Sequence, residues 1–143
     1  ICQHECPMYG KSWACPPAVG TVTYCKAKCM THENALLIST ITEVRDITNI
    51  EETLATRPDH EAVTNQVRDL LRDQGIEPYV LSTESCAECE RCAWLDGKPC
   101  YHPDRMHPCV ESHGINILPL IEELGLTFQY GENVVTWFSL LLY

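Results

Sequence analysis

Residues 78–92 read Pro78-Tyr79-Val80-Leu81-Ser82-Thr83-Glu84-Ser85-Cys86-Ala87-Glu88-Cys89-Glu90-Arg91-Cys92. Tyr79, Val80 and Leu81 behind a proline make a short strand over Pro78 to Thr83, and it runs straight into a triplet of cysteines with two residues between neighbours. A strand that delivers its loop to a dense thiol cluster ties fold and chemistry together. Upstream, Ala35 to Ile41 is apolar and partly β-branched and predicts a first strand. Pro58 with Thr56 and Asp59 then starts a helix in which Val63, Val67, Leu70 and Leu71 fall at helical spacing before Gly75. Downstream, Asn116 caps a second helix whose Ile117, Leu118, Ile121 and Leu124 share a face, with Pro119 in its first turn and Gly125 at its end. Leu126 to Tyr130 alternates, Gly131-Glu132-Asn133 turns, and Val134 to Tyr143 returns as a last strand.

The expected fold is therefore α+β. One domain over residues 1–143 carries a small mixed β-sheet of about four strands with two or more helices packed on it. Right-handed crossovers would leave the first three strands parallel or nearly so and the last antiparallel. Residues 1–34, rich in cysteine and in breakers, form an irregular N-terminal lobe; residues 35–143 form the core that carries the 86–100 loop. The acidic stretch from Glu43 to Glu61 reads as a solvated surface connection.

Composition narrows the function. Of 143 residues 45% are hydrophobic and 21% charged, ordinary for one soluble domain. The formal charge of -10 repels phosphate backbones and anionic lipid, which excludes nucleic acid and membrane surfaces as partners. The longest apolar stretch, Val134 to Tyr143, falls well short of the roughly 20 residues of a membrane-spanning helix, and no secretory leader is visible. Neither a Ser-His-Asp order nor a phosphate-cradling glycine loop stands in the chain. What stands out is ten cysteines, a residue usually kept for its chemistry.

Cys86, Cys89 and Cys92, with Cys100 returned by the Gly97-Lys98-Pro99 turn, have the spacing that wraps one corner of a cubane, and they predict a [4Fe-4S] cluster. Zinc is the alternative, although it normally draws thiolates as two separated pairs, and disulfides or unliganded thiols are a third. Cys2, Cys6 and Cys15 predict a second metal site. Cys15 is followed by Pro16, as ligand cysteines in ferredoxin loops are, and either Cys25 or Cys29, four apart, can supply a fourth thiol. Without a fourth, one iron stays open to substrate; a purely structural metal is the other alternative. His102, His107 and His113 follow Cys100 and are candidates for ligation or proton transfer, but read equally as ordinary neighbours. Tyr9, Trp13 and Trp94 can shield a cluster or simply fill core, and Lys11, Arg91, Lys98 and Arg105 flank the thiols as counter-charges.

Cys6-Pro7-Met8-Tyr9-Gly10-Lys11-Ser12-Trp13-Ala14-Cys15-Pro16-Pro17, taken with Cys86 to Cys92, Asp96 to Cys100 and His102-Pro103, resembles the family of predicted metal-binding proteins called domain-of-unknown-function family 2284. The similarity runs from Cys2 through Ile117. It implies metal binding, with iron–sulfur as the expected form, in the cytoplasm of anaerobic bacteria or archaea, and it implies no particular reaction. Cys2, Cys6, Cys15, Cys86, Cys89, Cys92 and Cys100 fall on the family's cysteine pattern; Cys109 departs from it. Together these readings give an expected electron-transfer or redox protein with a redox partner. An enzyme acting on a small molecule through an open iron, and a zinc scaffold, are the alternatives.

Overall fold

The structure is a computed structural model and describes residues 2–143. Helix α1 (Val22–Cys29) lies inside the N-terminal lobe, which is thus not wholly irregular; Thr21 caps it by accepting from the Tyr24 amide. The core follows as β1 (Ala35–Glu43), α2 (Ile50–Ala55), α3 (Arg57–Asp73), β2 (Tyr79–Ser82), α4 (Ile117–Glu123) and β3 (Val134–Leu142). Helix α2 occupies the acidic stretch, where Asn49 caps it and Glu51 and Glu52 sit favourably in its first turn. Helix α4 begins at the Asn116 cap and ends before Gly125, which takes the left-handed φ of +69° that stops a helix.

The fold class is α+β, as expected, but the sheet has three strands, not about four, and every ladder is antiparallel. Strand β3 lies in the middle: Ala35 pairs with Leu142 and Glu43 with Val134 on one side, Tyr79 with Leu142 and Ser82 with Ser139 on the other. β1 and β2 do run in the same direction, with β3 inserted between them. Both edges of β3 are thereby taken, so the alternating segment from Leu126 to Tyr130 has no central edge to join. It passes instead across the sheet face, where Phe128 stacks on Phe138 with ring centroids 5.9 Å apart.

Strand periodicity divides the sheet into two unlike faces. Phe138, Leu140 and Leu142 from β3 and Leu81 from β2 meet Val110, Ile117 and Ile121 in the apolar core. The opposite face carries Ser139, Ser82, Thr40 and Trp137, and it receives α3 through that helix's polar stripe. Thr64 Oγ1 lies 2.7 Å from Ser139 Oγ, Ser82 donates to Glu61 Oε1 at 2.7 Å, His60 Nδ1 lies 2.8 Å from Thr40 Oγ1, and Trp137 Nε1 donates to Thr56 at 2.8 Å. Arg57, His60, Glu61, Thr64 and Arg68 are buried, while Leu70 remains 61% exposed. The helix turns polar groups inward because the face it covers offers hydroxyls, and buried polar groups are costly unless partnered.

Removing Phe138 from the apolar core opens a cavity, so Phe138→Ala should destabilise by about 3–5 kcal/mol, read as a shift in urea midpoint. Burial depresses His60 and His107 to about 4, so both are neutral in the fold. The unfolded chain takes up these protons first as pH falls below about 6.5. Stability is therefore full above that pH and declines toward about 4, and a His60→Gln variant should show a shallower decline in urea midpoint over that window.

Candidate metal centre

The end of β2 builds the site. Ser82 donates its amide to the Pro108 carbonyl and accepts from the Val110 amide, each at 3.0 Å, so Cys109 is carried alongside the strand as an isolated parallel bridge. On its other side the Cys109 amide donates to the Ala14 carbonyl at 2.9 Å, which sets Cys15 beside it. Glu84 then takes a left-handed φ of +66°, costly for a residue with a Cβ at roughly 1–2 kcal/mol, and turns the chain so that Ser85 meets Ser12, Oγ to Oγ, at 2.9 Å. Strain of this kind is held only where the surroundings over-determine it.

These three segments enclose a cavity of about 200 Å³ lined by Cys2, Cys6, Cys15 and Cys109, with Glu84, Ser85 and Glu111 in its wall and Met8, Tyr9 and Pro16 around the thiols. Cys15 and Cys109 are both buried and act on each other. The influence of Cys109, with that of Ser12, Ser85 and the charge of Arg57, draws Cys15 below the usual thiol range against the cost of burial, whereas Cys109 is pushed up by Cys15 and by burial. Burial and the neighbouring Cys6 raise Cys2. Among the described residues no three His, Cys, Asp or Glu side chains converge as a single metal ion requires. The cavity's four thiols are soft donors, the ligand type that thiophilic metals prefer.

His113 supports the Cys109 segment from behind. Its Nδ1 faces the Cys109 carbonyl at 2.9 Å, an acceptor, so Nδ1 carries the proton and Nε2 accepts from the Tyr79 hydroxyl at 2.7 Å. His107 is buried with Nε2 2.8 Å from Asn65 Oδ1, and His102 lies exposed on the surface loop. None of the three lines the thiol cavity.

The central loop packs directly against the first cysteine loop. Trp13 and Trp94 meet edge to face at 4.8 Å; Trp13 Nε1 donates to the Lys98 carbonyl at 3.0 Å and Trp94 Nε1 to the Gly10 carbonyl at 2.9 Å. Cys86, Cys89, Cys92 and Cys100 are half-buried along this loop, and burial pushes Cys86 up to about 11. They do not share the enclosed cavity. Arg91 pairs with Asp96 at 2.8 Å and Arg105 with Glu88 at 3.0 Å, so these flanking cations are already engaged by carboxylates.

Cys25 and Cys29 lie on α1, away from the lining of this cavity. Cys25 is 1% exposed with its thiol 3.5 Å from the Val19 carbonyl, and burial raises both thiols. The fourth cavity thiol is thus Cys109, which local spacing could not reveal because its neighbours are Ser82 and Ala14, far away in the chain.

The family model for predicted metal-binding proteins, domain-of-unknown-function family 2284, matches residues 1–143. The chain belongs to this family. No curated protein and no solved structure matches it. Membership of a predicted metal-binding family and the ten cysteines together support metal binding by this chain. No helix among the described residues is long and apolar enough to cross a membrane.

Cys109→Ser should release the metal held at the Cys2, Cys6 and Cys15 site, whereas Cys25→Ala should leave total metal unchanged. Metal analysis of the two variants checks this; loss with Cys25 and retention with Cys109 would reverse the ligand assignment.

Proposed function

We propose that the protein is an iron–sulfur carrier for one-electron transfer, with a [4Fe-4S] cluster held by Cys2, Cys6, Cys15 and Cys109 and a second held by Cys86, Cys89, Cys92 and Cys100. The observation that carries it is the cavity of about 200 Å³ whose lining includes four thiols, Cys2, Cys6, Cys15 and Cys109. When bound, such a cluster accepts and releases one electron at a potential set by nearby charge, hydrogen bonds and solvent exposure.

The chain supplies each of these controls. Ser12 and Ser85, bonded to each other at 2.9 Å, favour the Cys15 thiolate. Met8, Tyr9 and Pro16 place apolar surface around the thiols and limit water. The Trp13–Trp94 contact clasps the two cysteine loops together. An overall charge of -10 steers association with a basic redox partner, in a cytoplasmic, anaerobic setting.

One observation favours small-molecule chemistry as a second reading. A groove of about 1010 Å³ adjoins the thiol cavity and shares Cys2, Tyr9, Pro16 and Glu111 with it, so a substrate there would lie against Cys2. In that case added small ligands should perturb the spectrum of the first site alone.

Purification without oxygen followed by iron, acid-labile sulfide and zinc analysis tests the primary reading. The expected result is iron and sulfide in equal amounts, near eight of each per chain for two clusters of four irons. Stoichiometric zinc without sulfide would replace it with the zinc scaffold.

A further inference from the structure

Strand β1 is a long sheet edge that the described residues leave open. On its β3 side the Asn34 amide donates to the Tyr143 carbonyl at 2.8 Å, the Asn34 carbonyl accepts from the Tyr143 amide at 3.0 Å, and at the far end the Val44 amide donates to the Asn133 carbonyl at 2.9 Å. Between those ends the antiparallel register is unbroken, from Ala35 on Leu142 to Glu43 on Val134. Alternate residues of such a ladder bond inward, so Leu36, Ile38, Thr40 and Thr42 direct their backbone groups to β3, while Ala35, Leu37, Ser39, Ile41 and Glu43 turn theirs outward. No backbone group among the described residues pairs with that outward set.

The other edge is short and engaged: β2 has 4 residues, and Ser82 at its end is bonded by the backbone of residues 108–110. β1 runs 9 residues with no lysine, proline or bulge, the devices that normally keep a free edge from pairing. Helix α3 reaches it over the polar face, through His60 and Thr40. Leu36 and Ile41 stay 37% and 49% exposed.

The edge is also complementary to itself. With Ser39 on a twofold axis, antiparallel pairing sets Leu37 opposite Ile41, Ala35 opposite Glu43 and, just beyond the strand, Glu33 opposite Arg45. Leu37 and Ile41 lie on one sheet face, so the partner's Leu37 covers the exposed Ile41. Glu33 is exposed, and the Arg45 side chain, 92% exposed, meets Glu52 through Nε at 3.1 Å and has donors to spare. Neighbouring registers are worse: an axis at Ile38 sets Glu33 against Glu43, and an axis at Thr40 sets Glu43 against Leu37.

We infer that β1 is a homodimer interface, in which two copies pair their β1 strands antiparallel about Ser39 and join their three-stranded sheets into one. Each outward pair exchanges two backbone hydrogen bonds, taking up groups that a lone chain leaves to water. The contact is isologous, so it closes at two copies. Glu33 and Arg45 fix the register at both ends against the general repulsion of chains that each carry a charge of -10. The inference holds whichever metal the cysteines bind.

The full chain, prepared without oxygen so that thiols do not cross-link, is examined by sedimentation equilibrium and amide hydrogen exchange over a concentration series. The expected mass at high concentration is that of two chains. The Leu37, Ser39 and Ile41 amides should be protected only where the dimer is populated, and the Ile38 and Thr40 amides throughout. Ser39→Pro removes an outward amide from each chain and none from the β3 ladder, so the variant should fold and its dimer should dissociate about tenfold more readily. Arg45→Glu, which sets like charges at both ends, should weaken the dimer about threefold, and adding Glu33→Arg to the same chain should restore it. A monomer at every concentration, an assembly larger than two, or a dimer that Ser39→Pro leaves intact would overturn the inference. If Ser39→Pro does not fold, the charge reversals decide: weakening by Arg45→Glu with rescue by the double variant upholds it, and no weakening, or weakening without rescue, refutes it.

Discussion

Ser82, the last residue of β2, is gripped on three sides: by the β3 ladder through Ser139, by the backbone of residues 108–110, and by the Glu61 carboxylate from α3. Two of the four cavity thiols are placed from that crossing. It carries Cys109 beside the strand, and the Cys109 amide then holds Ala14 and with it Cys15. The N-terminal lobe is thus tied to the sheet by backbone hydrogen bonds, which are direction-specific and leave little freedom for the thiols that follow.

The two faces of the sheet divide the labour. On one, Phe138, Leu140, Leu142, Leu81 and Ile121 exclude water and supply the stability that a small domain needs. On the other, α3 packs a hydroxyl, a histidine and an ion pair against the polar face of the sheet, with Glu61 reaching Ser82 at the end of β2. Such a layer is costly where groups stay unpartnered, as Arg57 Nε and Glu61 Oε2 do.

Local signals made much of the core legible. Asn116 and Gly125 bracketed α4, Pro58 opened α3, and the β-branched and apolar runs located β1, β2 and β3 within a few residues. The pairing of those strands was not local: β3 slots between β1 and β2, so the alternating Leu126 to Tyr130 segment lost its place in the sheet. Helical spacing in α3 likewise said that two stripes existed, not which one would face inward. The Cys6–Cys15 and Cys86–Cys92 motifs were visible because their spacings are short. Cys109 was not, because what places it are residues distant in sequence, Ser82 and Ala14.

A crystal structure of protein prepared and frozen without oxygen, with anomalous data collected across the iron edge, is the most direct measurement. The account predicts iron density inside the cavity, bonded to the sulfurs of Cys2, Cys6, Cys15 and Cys109. An S–S bond between Cys15 and Cys109, or metal bound to the first three thiols with Cys109 left outside, would contradict it.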